Sequence, residues 1–274
     1  MLNTMSAKTI LYVTAFKALG RESWKHWARP NDNYFQNFRN LLTRLKYDLV
    51  VFIENSLAER VRETILEVPG ATDRVTVMDY SAVDSFIAKH LAAERACMQG
   101  GLVQSLTAHR RDCPETYIAE YTLVNHSKIN FVRHAQAAQP GRDFYAWVDF
   151  GMCNDPVITF PLLDLDELPD RVMYNTLRQP PVGRPDERAL LQTGDVFLTG
   201  DSFIVPAALV ETLERRWEGK LLEWQRQGLA DDDQSLVLQL YYDDPKMFFL
   251  TIGGRWYVLN ELLPRLPVAK AVAP

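Results

Sequence analysis

The run from Asp143 to Gly151 ends in a carboxylate that could take part in chemistry. It reads Asp143-Phe-Tyr-Ala-Trp-Val-Asp-Phe-Gly151, so Asp149 and a glycine follow an apolar, aromatic stretch. This pattern predicts a buried strand that delivers Asp149 to the carboxyl edge of a sheet, where open α/β sheets bind ligands. A carboxylate there favours a positive partner, most simply a divalent cation carrying a phosphorylated substrate. Capping of a helix or turn is the alternative.

A second acidic segment, Ala230-Asp-Asp-Asp-Gln-Ser235, comes just before an apolar run that is typical of a helix. Acids are stabilised at helix N-termini, so one of the three is expected to be the N-cap. Three acids exceed what a cap requires, and the others could position a hydroxyl group or steady a sugar. The candidate catalytic residues are Asp232, Asp233 and Gln234.

Basic and aromatic side chains supply candidate anion contacts. Asn125 and Lys128 are three residues apart on one face of a predicted helix, where the lysine could meet a diphosphate; a solvated surface lysine is the alternative. The loop after the first predicted strand could form a phosphate and base pocket or face solvent. Its side chains of interest are Arg21, Trp24, Lys25 and Arg29.

Several familiar motifs are missing from the sequence. Neither G-x-G-x-x-G nor G-x-x-x-x-G-K-[ST] occurs, which disfavours dinucleotide and P-loop phosphate sites. The sequence also has no G-x-S-x-G, and its five histidines form no zinc-ligand pattern. A hydrolase built on a histidine base is therefore not indicated.

The composition predicts a soluble globular protein. The 274 residues are 47% hydrophobic and 24% charged, with a mean hydropathy of −0.18, and no linker divides them, so we expect one domain. Residues 9–16 lack the features of a signal peptide, and residues 264–274 are too short to span a bilayer. Three cysteines without metal-ligand spacing fit free thiols in the cytoplasm. A net charge of −5 gives no general attraction to nucleic acid.

Strand and helix patterns alternate along the first half, which favours a mostly parallel sheet in an α/β fold. Apolar runs predict strands at residues 9–16, 48–53, 74–78, 172–177, 195–205, 247–252 and 256–259, besides the one that ends at Asp149. Residues 195–205 could form one strand, or two with a turn at Gly200. Helical spacing predicts helices around residues 35–45 with Asn31 and Asp32 as cap candidates, at 57–66, at 82–110 with a break at Gly100-Gly101, at 117–136, at 206–228 and from 231. The proline-rich residues 179–187 could form a lid or acceptor loop.

Taken in order, the sequence motifs resemble those of one family. They are Val13-Thr-Ala-Phe16, Gly20-Arg-Glu-Ser-Trp24, Asn33-Tyr-Phe35, Asn125-His-Ser-Lys128, Ala146-Trp-Val-Asp-Phe-Gly151 and Asp232-Asp-Gln234. Together they look like the HtrL/YibB (WlaTC-type) family of proposed bacterial glycosyltransferases, over about residues 9–259. The resemblance implies a single Rossmann-like domain of the A-type glycosyltransferase fold. Its donor-binding half would span about residues 9–151 and its acceptor-side half about 152–260, followed by an arm at 261–274.

The resemblance also assigns roles to particular residues. Asp149 would stand at the position of an Asp-x-Asp metal motif, holding Mn²⁺ or Mg²⁺, and Asp201 could supply a second acid. Asp233 and Gln234 would lie on the acceptor or sugar side. The expected contacts to a nucleotide-diphospho-sugar such as a UDP-sugar are Thr14, Phe16, Arg21, Trp24, Asn125, Lys128 and Trp147. The motif here has one carboxylate rather than two, which leaves the need for a metal open.

The resemblance implies transfer of a sugar from a nucleotide donor to an acceptor hydroxyl, in the synthesis of a surface glycan or lipopolysaccharide. Two other functions stay open. The chain could be a non-catalytic relative that binds a nucleotide or glycan, or a metal-dependent phosphoryl or nucleotidyl enzyme on a similar sheet.

Overall fold

A computed structural model describes residues 8–266, and seven strands in this part pair into one sheet. The strands are β1 (Ile10–Phe16), β2 (Leu49–Ile53), β3 (Val75–Asp79), β4 (Phe144–Val148), β5 (Val172–Thr176), β6 (Leu198–Pro206) and β7 (Phe248–Ile252). Their order across the sheet is β3-β2-β1-β4-β6-β5-β7. β6 runs antiparallel to both of its neighbours, and the other pairs are parallel. The expected α/β class with a mostly parallel, partly mixed sheet is confirmed.

Helices of very different lengths connect the strands. They are α1 (Asn31–Arg44), α2 (Ala58–Leu66), α3 (Asp84–Gln99), α4 (Gly101–Gln104), α5 (Ala108–Arg111), α6 (Ala119–His126), α7 (Lys128–Ala138), α8 (Glu187–Thr193), α9 (Val210–Gln227), α10 (Asp233–Asp243) and α11 (Leu259–Leu262). The longest connection of the first half, between β3 and β4, carries α3 to α7. It is this connection that brings Lys128 to the sheet.

Both faces of the sheet are buried, as expected of parallel strands covered by helices. Successive residues of β1 alternate between two cores: Leu11 and Val13 pack with α3, α6, α7, α9 and α10, whereas Ile10 and Tyr12 pack with α1 and α2. This burial explains why β1, β2 and β4 read as continuous apolar runs rather than as alternating patterns.

The strand order changes direction at β1, which is the topological switch point of the sheet. It moves outward from β1 to β2 and β3, and then returns to place β4 on the other side of β1. A crevice between two such oppositely directed connections is the usual ligand site of an open α/β sheet, at the carboxyl ends of the strands. The carboxyl ends of β1 and β4 are therefore where a site is expected.

Three details of the predicted elements are wrong. Asn31 and Asp32 lie inside the first turn of α1, whose N-cap is Pro30 without a side-chain hydrogen bond. Residues 117–136 form two helices rather than one, because α6 ends at His126 and α7 begins at Lys128. Residues 256–259 are not a strand: the glycine pair at 253 and 254 ends β7, Tyr257 adopts a φ of 65°, and α11 starts at Leu259.

Other boundaries follow the predictions more closely. The break between α3 and α4 falls at Gly100, and β6 is one strand that passes through Gly200. The proline-rich excursion ends in α8 and is tied to α10, because Arg184 donates to Gln239 Oε1 at 2.5 Å and to Asp243 Oδ1 at 2.6 Å. Whether this segment moves as a lid stays a prediction.

The predicted division near residue 151 separates β1–β4 from β5–β7, and all seven strands belong to the same sheet. Of the predicted arm, residues 267–274 lie outside the described residues. Within residues 8–266, no helix has both the length and the apolar character needed to cross a membrane. Cys97, Cys113 and Cys153 are buried free thiols.

The buried Glu94 should make the stability depend on pH. Its side chain is 0% exposed between α3 and α9, where Oε2 accepts from Gln225 Nε2 at 2.9 Å. Burial raises the pKa of Glu94 from 4.5 to about 7. Because the pKa is raised, Glu94 contributes its full stabilisation below pH 4.5, and this contribution is lost as the pH rises through 7. The free energy of unfolding should fall by roughly 3 kcal/mol at most from this source. The Glu94→Gln variant should lose less stability between pH 5 and pH 8 than the wild type.

Urea unfolding of both proteins across this pH range measures the difference. The exposed Glu63 on α2 provides a matched control, and Glu63→Gln should follow the wild type at each pH. Parallel curves for the wild type and Glu94→Gln would show that Glu94 does not titrate in this range.

Candidate functional site

A pocket of about 260 Å³ opens at the carboxyl ends of β1 and β4, next to the middle of β6. Ten of the residues proposed from the sequence line it: Phe16, Arg21, Arg29, Asn125, Lys128, Trp147, Asp149, Asp232, Asp233 and Gln234. Asp201 also lines it. The fold thus brings together segments that are far apart in the chain.

Two proposed contact residues lie elsewhere. Thr14 is fully buried inside β1, between the two cores that flank the strand. Trp24 packs edge-on against Tyr121, with 5.7 Å between ring centroids, and the Arg21 guanidinium lies 5.3 Å from its ring. Trp24 therefore packs against Arg21. Lys25, the next residue in the chain, is exposed.

Lys128 is buried at the floor of the pocket and holds three acceptors. Its Nζ donates to Gly200 O at 2.7 Å and to Asp233 Oδ2 at 2.9 Å, and it lies 3.3 Å from Asp149 Oδ1. An ammonium group has three N–H donors, so these three oxygens match its capacity. Lys128 consequently fixes the positions of the two carboxylates, instead of offering its donors to a diphosphate as the sequence analysis suggested.

The electrostatics of this cluster follow from its burial. Burial lowers the pKa of Lys128, but the nearby carboxylates of Asp149 and Asp233 raise it by more, so the lysine stays charged. Burial raises the pKa of Asp233, although the Lys128 ammonium opposes the shift. Lys128 thus favours the ionised form of Asp233, whereas burial increases the affinity of Asp233 for a proton. A carboxylate in this state can act as a general base.

Asp149 is positioned by its own strand and by β6. The indole Nε1 of Trp147 donates to Asp149 Oδ1 at 2.8 Å, and the backbone N–H of Asp149 donates to Asp201 O at 2.9 Å. Its side chain is 39% exposed. The carboxylate is therefore anchored through one oxygen and accessible from the pocket.

Asp201 is the most buried acid that faces the pocket from the sheet. The residue is 2% exposed; its Oδ2 accepts from Ser202 Oγ at 3.0 Å, and its Oδ1 has no hydrogen-bond partner. Burial, and then the charge of Asp149, raise the pKa of Asp201 to about 6. A buried carboxylate oxygen without a partner is costly, which makes this atom a candidate for contact with a ligand.

The three consecutive acids before α10 have different partners. Asp231 pairs with the buried Arg110 at 3.3 Å, Asp232 is the N-cap and accepts from the backbone N–H of Gln234 at 3.1 Å, and Asp233 pairs with Lys128. The expectation that one acid caps the helix is confirmed, and the cap is Asp232. Asp233 is the member whose side chain joins the floor of the pocket.

The entrance of the pocket is aromatic and cationic. Arg21 Nη1 donates to Tyr34 Oη at 2.6 Å, and the Arg29 guanidinium lies 5.2 Å from the Tyr34 ring. Tyr257 also lines the pocket, and its backbone φ of 65° is an unusual conformation for a residue with a side chain. Burial raises the pKa of the Tyr257 hydroxyl to about 12, with help from Asp149 and Asp201.

Sequence reasoning missed five aromatic residues of the lining: Tyr34, Tyr121, Phe150, Trp256 and Tyr257. Tyr34 and Tyr121 lie on α1 and α6 at positions that also suit the core, so helical spacing alone could not separate the two roles. The glycine pair just before Arg255 was the available signal that residues 256 and 257 belong to a turn.

The side chains of the pocket fit a divalent cation that binds together with a phosphate better than a cation that the protein binds by itself. Within residues 8–266 there is no group of three or more His, Cys, Asp or Glu side chains that could hold a metal ion. Asp149 has one oxygen held by Trp147 and Lys128 and is partly exposed. One carboxylate together with substrate phosphates and water is a common way to bind Mg²⁺. These residues would therefore accept a divalent ion only alongside a phosphorylated ligand.

Comparisons with known proteins identify relatives that cover most of the chain. The profile of HtrL_YibB, a family of bacterial proteins of unknown function, matches residues 7–174. Protein HtrL of Escherichia coli (strain K12) is 26% identical over 266 residues, which cover 90% of each chain.

Solved structures show looser similarity. The 4-diphosphocytidyl-2C-methyl-D-erythritol synthase of Anaerococcus prevotii DSM 20548 has 8% identity and a TM-score of 0.43, covering 97% of this chain and 94% of that one. A glycosyltransferase involved in glycosylation of the major capsid of PBCV-1 has 9% identity and a TM-score of 0.39, covering 89% and 82%. A cytidylyltransferase from Leptospira borgpetersenii serovar Hardjo-bovis has 12% identity and a TM-score of 0.39, covering 91% and 77%. At these low scores the comparisons assign no activity to this chain.

Proposed function

The chain belongs to the HtrL_YibB family, and we propose that it is a glycosyltransferase that moves a sugar from a nucleotide-diphospho-sugar to an acceptor hydroxyl. The observation that carries the proposal is the Lys128 cluster, in which a buried ammonium holds Asp149 and Asp233 at the floor of a pocket. The pocket lies at the carboxyl edge of the sheet, between β1 and β6. Such an arrangement favours binding and positioning of a charged substrate.

The charges of the pocket suggest how the donor lies. Apart from Lys128 at the floor, its cations are Lys17, Arg21 and Arg29, which belong to the segment after β1, whereas Asp201 and Asp233 lie on β6 and at the start of α10. Because β4 separates β1 from β6 in the sheet, the cationic and acidic sides are divided by Asp149. The diphosphate would occupy the cationic side, with Tyr34 and Tyr121 near the base, and the sugar would occupy the acidic side.

The chemistry then requires a base and a stabilised leaving group. Asp233 would accept the proton of the acceptor hydroxyl as the acceptor oxygen bonds to the anomeric carbon. The bond between that carbon and the diphosphate oxygen breaks at the same time, and the charge left on the diphosphate is met by Arg21 and Arg29. Lys128 would hold Asp233 in place, and Gln234 would orient the acceptor.

A divalent ion belongs to the proposal as a companion of the donor. Asp149 would be its protein ligand, because its carboxylate is the one that is partly exposed to the pocket. Mn²⁺ or Mg²⁺ bound there would neutralise part of the diphosphate charge.

A thermal-shift screen of nucleotide sugars tests the proposal. Donors with uridine, guanosine, cytidine and thymidine should be compared with and without Mn²⁺ on the wild type and on Asp149→Asn. We expect one nucleotide family to raise the unfolding midpoint, with a gain of about 2.7 kcal/mol at a hundredfold excess over Kd. Mn²⁺ alone should give no shift, and Asp149→Asn should lose the part of the shift that depends on Mn²⁺.

The exposed Asp73 lies before β3, at the end of the strand away from the pocket edge, so Asp73→Asn is a control of equal charge that should behave like the wild type. No response to any nucleotide would overturn the proposal.

Analysis of products separates the enzyme classes. Release of a nucleoside diphosphate from the bound donor supports glycosyl transfer, whereas release of a nucleoside monophosphate would mark a phosphoryl or nucleotidyl enzyme.

A further inference from the structure

The acidic side of the pocket contains a buried carboxylate oxygen that makes no hydrogen bond, although the Thr199 hydroxyl on the same strand lies close enough to lower the pKa of this carboxyl group. Asp201 is 2% exposed and lines the pocket, and its Oδ1 has no hydrogen-bond partner, whereas its Oδ2 is bonded to Ser202. A buried carboxylate oxygen requires a donor or a cation. A ligand in the pocket is the natural source of either one.

The surrounding groups favour a hydroxyl donor over a metal ion at this atom. Lys128 lies close to the carboxylates of Asp149 and Asp233 and already provides positive charge at the floor. Within the described residues, no three acidic, histidine or cysteine side chains converge as a metal site would require. A sugar hydroxyl can donate to Asp201 Oδ1 without adding a charge to this region.

The same carboxylates restrict which sugar can enter. Asp149, Asp201 and Asp233 line the pocket together beside the ammonium of Lys128, whose N–H groups are directed at protein oxygens. A sugar that carries its own carboxylate would lie next to these groups with no free cation on the acidic side to meet it. Placing like charges side by side at an interface costs several kcal/mol and is a common basis of discrimination.

We infer that the transferred sugar is uncharged and rich in hydroxyl groups, that Asp201 accepts a hydrogen bond from one of those hydroxyls, and that the pocket rejects uronic acids. This inference rests on the proposed function, because it assumes that the acidic side holds the sugar of a nucleotide donor. It limits the donors to nucleotide sugars in which the sugar carries no charge. Neither membership of the family nor the fold specifies the charge of the sugar.

Two matched donor pairs test the inference by titration calorimetry. UDP-glucose and UDP-glucuronic acid differ only at C6, as do GDP-mannose and GDP-mannuronic acid, and UDP and GDP serve as sugar-free references. In the pair with the correct base, we expect the uncharged sugar to bind about a hundredfold more tightly than the uronate. In Asp201→Asn the ratio should fall to about tenfold or less, because one negative charge is removed and the new amide can donate. Asp73→Asn should keep the wild-type ratio.

The outcomes distinguish this inference from the proposed function. Equal affinities within a pair that binds would overturn the inference and leave the glycosyltransferase proposal standing. A wild-type preference that Asp201→Asn leaves unchanged would remove Asp201 from the explanation, and Mn²⁺ binding that depends on Asp201 without nucleotide would replace the hydroxyl by a cation. If the thermal-shift screen identifies another base, the neutral sugar and the uronate are compared on that nucleotide; if no nucleotide binds at all, the proposed function fails and the inference fails with it.

Discussion

Replacing Lys128 by methionine should lower the free energy of unfolding by about 3–5 kcal/mol, the usual cost of removing one partner of a buried ion pair. Methionine fills a similar volume but cannot satisfy Gly200 O, Asp233 Oδ2 or Asp149 Oδ1. Asp233 is 3% exposed and would keep an uncompensated charge. Urea unfolding measures the loss, and nucleotide-sugar binding should fall with it because the pocket floor loses its geometry.

A second substitution separates the loss of the ion pair from a packing defect. The Lys128→Met/Asp233→Asn double variant removes both buried charges, so it should recover part of the lost stability, although it should not recover activity. Lys46→Met serves as the surface control, since Lys46 lies just after α1, is exposed and donates from Nζ to the carbonyl of Thr43 at 2.7 Å. If Lys128→Met is as stable as Lys46→Met, the Lys128 cluster does not hold the site together.

The sequence predicted the strand at the centre of the site because its signal is local. Five consecutive buried residues in β4, ended by Asp149, reflect a strand covered on both faces, and such a strand reads as a continuous apolar run. The acids before α10 were recognisable for a similar reason, since helix N-termini select acidic residues. Both features depend on a few neighbouring residues.

The contact between Lys128 and Asp233 could not be predicted in this way. The two residues are 105 positions apart, and no short pattern states that a lysine near a helix start will meet an acid that far along the chain. The break at Ser127, which makes Lys128 the first residue of α7, also carries no glycine or proline to signal it. The individual candidates were therefore visible in the sequence, whereas the roles of Lys128 as an anchor and of Asp201 as an unpartnered acid required the fold.

The turn that carries Trp256 and Tyr257 shows the opposite failure, in which a local pattern was misleading. Trp256, Tyr257 and Val258 have strand-forming side chains, and they follow β7 closely. A positive φ at Tyr257 is incompatible with a strand, and the residue is placed against the pocket instead. Backbone conformations of this kind are rare for residues other than glycine, so they tend to occur where the surrounding structure, and often function, requires them.

Gly200→Ala should be strongly destabilising although it adds only one methyl group. Gly200 lies in β6 with a φ outside the left-handed region, so its backbone can accommodate alanine. The added Cβ would lie 2.6 Å from Asp233 Oδ2 and 2.9 Å from Oδ1. Asp233 cannot move away without leaving Lys128, which also bonds to the carbonyl of Gly200 itself. We expect a loss of about 2–3 kcal/mol in urea unfolding, and loss of the proposed transferase activity.

The control for this prediction has to add the same methyl group where space is available. Gly219 in α9 has nothing within 4 Å of an added Cβ, so Gly219→Ala should gain about 0.5–1 kcal/mol from helix propensity and keep activity. Opposite signs for the two substitutions would identify the contact with Asp233 as the cause, since the chemistry of the change is identical. A Gly200→Ala protein with normal stability and activity would instead show that Asp233 has room to move, and that neither its pairing with Lys128 nor its position at the pocket floor is needed for catalysis.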